Sequence, residues 1–204
     1  MKSLQPWYWR SLPLNHRTGS EIFAALFLQP GAIATLLESP YPPNQADEQE
    51  IISDRTEENT PQTRLARYSI CAGAPRILDG RPQLWTPPVG GILPFLKQLL
   101  QKGITRFSSS PEQPQGDCPY NSPRLPFTGG WLGWLGYDLA WEIERLPQLR
   151  SDSLPFPVAY WYEPECFAVL DHGEQTLWLA ATFEVQLDQL QSQLELRSCT
   201  NSNK

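Results

Sequence analysis

Between Leu125 and Pro147 the chain reads LPFTGGWLGWLGYDLAWEIERLP. Gly130, Gly133 and Gly136 recur at every third position, with tryptophan and leucine between them. A dinucleotide fingerprint needs Gly-x-Gly-x-x-Gly, and a P-loop needs a Gly-Lys-Ser/Thr ending. Neither is present, and no Lys or Arg lies in the turn to meet a phosphate at a helix N-terminus. The segment therefore reads as a strand. Alternation puts Trp131, Gly133, Leu135 and Tyr137 on one face and Leu132, Trp134, Gly136 and Asp138 on the other. Glycine inside a strand marks the close approach of another backbone or a large ring. Asp138 stands where an N-cap would open a helix over LAWEIERL, which Pro147 would end.

The 204 residues suffice for one large domain or two small ones, and 40% hydrophobic against 19% charged residues can build a core. A net charge of -6 offers no electrostatic footprint for nucleic acid or an anionic membrane surface. Cys71, Cys118, Cys166 and Cys199 are far apart, and the two histidines, His16 and His172, are not near one another. That spacing builds no zinc site and suits four reduced thiols. With no apolar run at the N-terminus and none near the roughly 20 residues that span a bilayer, a cytoplasmic protein is expected.

Along the chain, 19–28 has the spacing of a short helix, with Ser20 as its cap and Ile22, Phe23, Leu26 and Phe27 on one face. Residues 32–39 and 67–77 read as strands. The stretch between them, 40–66, is polar, acidic and bounded by prolines, and is expected to be a mobile loop. A Gly-Arg-Pro turn and a strand around Leu84 and Trp85 follow. Residues 91–103 form a helix with Phe95, Leu96, Leu99 and Leu100 as its buried stripe and Gly103 as its stop. Five prolines and a run of three consecutive serines make 107–126 a second mobile loop. Residues 158–182 read as two strands joined at Asp-His-Gly-Glu-Gln. A helix over 184–196 then leads into a frayed polar tail.

The segment LPFTGGWLGWLGYDLAWEIERLP closely resembles the Gly-Gly-x-x-Gly-x-x-Gly-Tyr-Asp stretch of component I of the chorismate-aminating synthases, anthranilate synthase and aminodeoxychorismate (para-aminobenzoate) synthase. Gly129, Gly130, Gly133, Gly136, Tyr137 and Asp138 carry that motif. LLES at 36–39 and RYSICAGAPR at 67–76 match in the same order, and LPFPVAYWYEPECFAVLDH suits the family's next strand pair. The resemblance covers nearly all of 1–190, leaving 191–204 as a helix end and tail.

The resemblance implies an α+β fold of antiparallel sheets with flanking helices, the N-terminal half of an α/β/β/α stack. In the family that half is non-catalytic, and the C-terminal half binds chorismate and magnesium. This chain matches the first half only, so no catalytic residue, metal ligand or cofactor is expected in it. The acids of 47–58 read as a solvated run, and His16 and His172 both sit beside turn residues, which gives no credible Ser-His-Asp or Cys-His set. The implied partners are the chorismate-binding half, a glutamine amidotransferase subunit and tryptophan. Leu37, Glu38, Ser39, Arg67, Tyr68 and Ser69 match the family's effector-binding segments. Glu38 and Ser39 can accept from an ammonium, Ser69 can donate, and Leu37 and Tyr68 can wall an indole. Arg67 is either a carboxylate partner or a solvent-facing side chain at a strand start. The opening PWYWRSLPL looks more like the folate (aminodeoxychorismate) branch, whereas LLES is the spelling associated with tryptophan feedback in anthranilate synthase. A fragment, one piece of a split enzyme, a free-standing tryptophan sensor and a vestigial reading frame all remain open at this point.

Overall fold

Strands buried on one face or both set the frame. The computed structural model describes residues 7–39, 66–108, 125–147 and 156–201, the stretches 102–108 and 197–201 by backbone alone. The five-stranded sheet has the order β1 (Tyr8–Pro13), β10 (Thr176–Ala181), β9 (Cys166–Asp171), β3 (Tyr68–Ala72), β2 (Thr35–Leu37), and every neighbouring pair is antiparallel. β9 lies at the centre and is apolar on both faces. Ala168 and Leu170 join one core, and Phe167 and Val169 join the other.

The first core lies between this sheet and two helices, α1 (Gly19–Leu26) and α4 (Glu184–Asn201). Ile22, Leu26 and Phe27 meet Leu170, Leu177 and Leu179, with Phe23 packed at the edge. Leu187, Leu190 and Leu194 recur at helical spacing along α4 and close that core. Each such leucine contributes about 1.5–3 kcal/mol on burial.

The second core joins the large sheet to a three-stranded one of order β6 (Leu84–Trp85), β8 (Ala159–Tyr162), β7 (Leu132–Leu135). Leu132 and Tyr162 of the small sheet pack with Phe167, Val169 and Ala180 of the large one. Trp7, Trp9 and Phe127 meet the Phe167 ring edge-on, with centroids 4.9, 5.4 and 4.8 Å away. On the opposite face of the small sheet, Phe95 of α2 (Ile92–Ser108) lies 4.9 Å from Trp85 and 6.1 Å from Trp131. A two-stranded ribbon, β4 (Ile77–Leu78) with β5 (Arg81–Pro82), completes the sheets. The fold is α+β, as expected.

The glycine motif is read correctly in its strand and incorrectly beyond it. A Cβ on Gly133 would strike the Tyr160 carbonyl oxygen and come within 2.8 Å of Trp161 Cα, so β7 can lie this close to β8 only as glycine. Gly129 and Gly130 take φ of +110° and +119°, a region that favours glycine. Gly136 donates its N–H to Val158 O at 2.5 Å. Asp138, however, does not cap a helix. It lies within the 3-10 turn Tyr137–Leu139, and the α-helix that follows, α3 (Ala140–Ile143), has one turn and no side-chain cap. That helix stops at Glu144, short of Pro147, with Glu144 already extended.

Other boundaries move for identifiable reasons. Thr18 rather than Ser20 caps α1: its Oγ1 accepts from Glu21 N, and the Glu21 carboxylate accepts from Thr18 N in return. The strand expected over 32–39 holds ladder pairing only at Thr35–Leu37, and that over 67–77 is broken into β3 at Tyr68–Ala72, an isolated bridge from Pro75 to Pro164 and the start of β4 at Ile77. α2 runs through Gly103 to Ser108 because a single glycine costs a helix only about 1 kcal/mol. Leu100 is 69% exposed rather than part of the buried stripe. α4 continues through the expected tail to Asn201. The loop expected over 40–66 lies outside the described residues except for the buried Ala66, and that over 107–126 except at its ends.

Candidate functional site

β2 and β3 pair antiparallel, with Leu37 opposite Ile70 and Leu36 opposite Cys71. Continuing that register sets Glu38 opposite Ser69 and Ser39 opposite Tyr68. The two sequence motifs thus lie side by side, and the intervening chain departs from their shared end.

The N-terminus of α1 abuts this edge. Glu38 Oε1 accepts from Gly19 N at 2.6 Å, and Glu38 Oε2 accepts from Ser20 Oγ at 2.6 Å. The carboxylate thus answers the partial positive charge of the helix start. Gly19 makes the approach possible: a Cβ there would lie 2.6 Å from Glu38 Oε1 and 2.9 Å from Ser69 Cβ. Ser69 is wholly buried, and its Oγ lies 2.8 Å from His172 Nε2. Leu37, Glu38 and Ser39 are exposed, so the cluster has a buried side and an open one.

His172 opens the β9–β10 turn and donates its backbone N–H to Arg67 O at 2.9 Å. Burial pushes its ring below the ordinary histidine value, while the charges of Glu38 and Asp171 act the other way. Asp171 receives two bonds from Arg67, Nε at 2.9 Å and Nη2 at 2.7 Å, and two from the turn amides of Gly173 and Glu174, each at 3.0 Å. Burial raises the Asp171 carboxyl, but the Arg67 bonds and those amides outweigh it and hold it below the usual range. Arg67 is correspondingly raised by its bond to Asp171, and its guanidinium lies 5.1 Å over the Tyr68 ring. Burial, then Asp171, raises the Tyr68 phenol. Cys71, just inside, is pushed up to about 12 by burial and by Glu38, which makes it an inert core thiol.

The six residues expected at an effector site therefore fall along one sheet edge in two groups. Glu38 and Ser69 meet at Gly19, while Arg67 and Tyr68 meet at Asp171. Leu37 and Ser39 flank them on the exposed side. Gly19, Asp171 and His172 belong to the same constellation and are absent from the sequence-derived set. Their signal lies in the pairing Tyr68 to Asp171, which needs the strand order and not the motif.

A search of characterised proteins gives three informative likenesses. The chain is 48% identical over 196 residues to an anthranilate synthase component I-like protein of Synechocystis, a match covering 95% of this chain and 34% of that protein. It is 46% identical over 56 residues to anthranilate synthase component 1 of Thermus thermophilus, covering 28% of this chain and 12% of the relative. It is 43% identical over 53 residues to aminodeoxychorismate synthase component 1 of Bacillus subtilis, covering 26% and 11%. Its homologues thus include proteins named anthranilate synthase component I-like and aminodeoxychorismate synthase component 1, and the match to them is partial. It spans about a third of the length of the Synechocystis relative. No protein-family profile matches it.

The metal that the resemblance implies is magnesium. Among the described residues no three His, Cys, Asp or Glu side chains gather to hold a metal ion. Glu38, Asp171 and Glu142 are each engaged elsewhere, Glu142 on the amides of Gly90, Ile92 and Leu93 at 2.5–2.8 Å. The described residues do not fit a magnesium site. No helix among them is long and apolar enough to cross a membrane.

Proposed function

We propose that this chain is the non-catalytic, amino-terminal-type portion of component I of a chorismate-aminating synthase, and that its β2–β3 edge binds a free amino acid, tryptophan. The observation that carries the reading is the extent of likeness: nearly the whole chain matches, but only a third of a component I-like relative. The layering of helices, large sheet, small sheet and α2 agrees with half of an α/β/β/α stack. The remainder of component I would hold chorismate and magnesium, and a glutamine amidotransferase subunit would supply ammonia.

An amino-acid ligand needs an acceptor for its ammonium and donors for its carboxylate. Glu38 is exposed, and its oxygens have lone pairs beyond those used by Gly19 and Ser20. Arg67 uses Nε and Nη2 on Asp171, which leaves its Nη1 edge for a carboxylate. Ser69 is an indirect participant, because its hydroxyl is buried against His172. Leu37, 48% exposed, offers apolar surface for an indole.

Chorismate, ammonia and magnesium mixed with this chain should yield neither anthranilate nor aminodeoxychorismate. Heat-sensitive product would overturn the non-catalytic reading. The folate branch is preferred, because PWYWRSLPL, which contributes β1, resembles that branch. Deleting the coding sequence from its host should then create a need for p-aminobenzoate. A need for tryptophan instead would assign the other branch.

A further inference from the structure

The amino-acid site, if the reading above holds, is bordered by an ionisable ring. We propose that His172 is a positioning residue of that site, holding Ser69 and permitting a ligand ammonium beside Glu38 only while its ring is neutral. The geometry is that of a closed chain: Glu38 on Gly19, Gly19 against Ser69, and Ser69 Oγ 2.8 Å from His172 Nε2.

Two carboxylates act on the ring, Glu38 from the end of β2 and Asp171 from β9. They are not equivalent. Asp171 is already matched by Arg67, which also reaches Glu174 of the turn at 3.5 Å. Tyr68, on β3, is neutral, its phenol raised by burial and by Asp171. α1 contributes the partial positive charge of its N-terminus, which Glu38 answers. Glu38 is thus the one of the two without a cationic side chain in the described ion pairs. A ligand ammonium and a proton on His172 draw on the same negative charge and repel each other. Burial keeps the ring neutral around neutral pH. Protonation, which needs a pH below the ordinary histidine value, turns it cationic and drives the ligand off. The coupling is reciprocal: bound ligand must make His172 harder to protonate.

The test is tryptophan binding to the full chain, followed by NMR at about pH 7.5 and at a pH below the His172 midpoint, which the imidazole signals of both histidines locate directly. Affinity should fall by about 3-fold or more at the lower pH, and tryptophan should move the His172 midpoint down while leaving His16 unchanged. His172→Gln, which keeps a neutral hydrogen-bonding group, should bind with affinity independent of pH across that window. Equal affinity at both pH values in the unsubstituted chain, or an unchanged pH dependence in His172→Gln, overturns the role of His172 and leaves the amino-acid site standing. No binding at either pH removes the site and this role together. Should His172→Gln fail to fold, the ligand-induced change in the His172 midpoint decides alone.

Discussion

Asp171 does several jobs from one buried position. Its two oxygens accept from Arg67 and from two amides of the hairpin turn, so it fixes both the β3 start and the β9–β10 connection. Asp171→Asn should cost about 1–3 kcal/mol at neutral pH. The lower half is expected, because Arg67 is partly exposed and its pairing is screened. The pH sign follows from the lowered carboxyl. Its contribution is complete above the unfolded value of about 3.9 and is lost as pH falls through the lower folded value. Urea unfolding of both proteins should show a gap that narrows below about pH 4. A gap constant with pH would mean that shape, not charge, holds the turn. Residues of this kind were half legible. Glu38, Arg67 and Ser69 stand out in the sequence, but what they touch was not. Arg67 meets Asp171, more than a hundred positions away, and Glu38 meets the start of α1, a contact set by folding rather than by local pattern.

At the scale of elements, periodicity served where burial is one-sided and failed where a distant partner decides. The α1 stripe is apparent from Ile22, Phe23, Leu26 and Phe27. Its cap is not set by pattern alone, because Thr18 and Ser20 both suit the position, and the reciprocal Glu21 bond decides for Thr18. The start of α2 is held by Glu142, from α3 some fifty residues later, a contact with no local signature. β7 offers a sharper test of the glycine argument. Gly133→Ala would drive a methyl group into the β8 backbone, whereas one on Gly136 would lie 3.1 Å from Val158 O, a contact a small shift relieves. Gly133→Ala should therefore destabilise by about 1–3 kcal/mol or more, and Gly136→Ala by clearly less. Comparable denaturation midpoints for the two would show that β7 does not need its close approach to β8.

For the whole molecule, the layers were legible as a fold class, and their contents were not. Strand order requires knowing that β1 pairs with β10, and nothing in 8–13 announces a partner near the other end of the chain. The small sheet leaves apolar surface open: Trp85, Trp134 and Leu135 are exposed, and Tyr137 is 92% exposed. The indole N–H groups of Trp141 and Trp161 are buried without a partner among the described residues. Surface of this kind marks an interaction site or an aggregation liability. The isolated chain should bind an apolar fluorescent dye and scatter light as an associating species. A dye-silent monomer at high concentration would show that the chain closes its own core.

The β2–β3 edge is where the proposed tryptophan site stands or falls. Titrating the isotopically labelled chain with tryptophan at neutral pH, while following the amides of Leu37–Ser39 and Arg67–Ser69, tests it in one measurement. If the proposed site shares its lining with the rest of a longer protein, it should bind weakly here, at about millimolar, worth roughly 4 kcal/mol. Saturable shifts confined to those residues and to Gly19 and His172 are the predicted result. No shift there at tens of millimolar, or micromolar binding centred on other residues, would contradict the account.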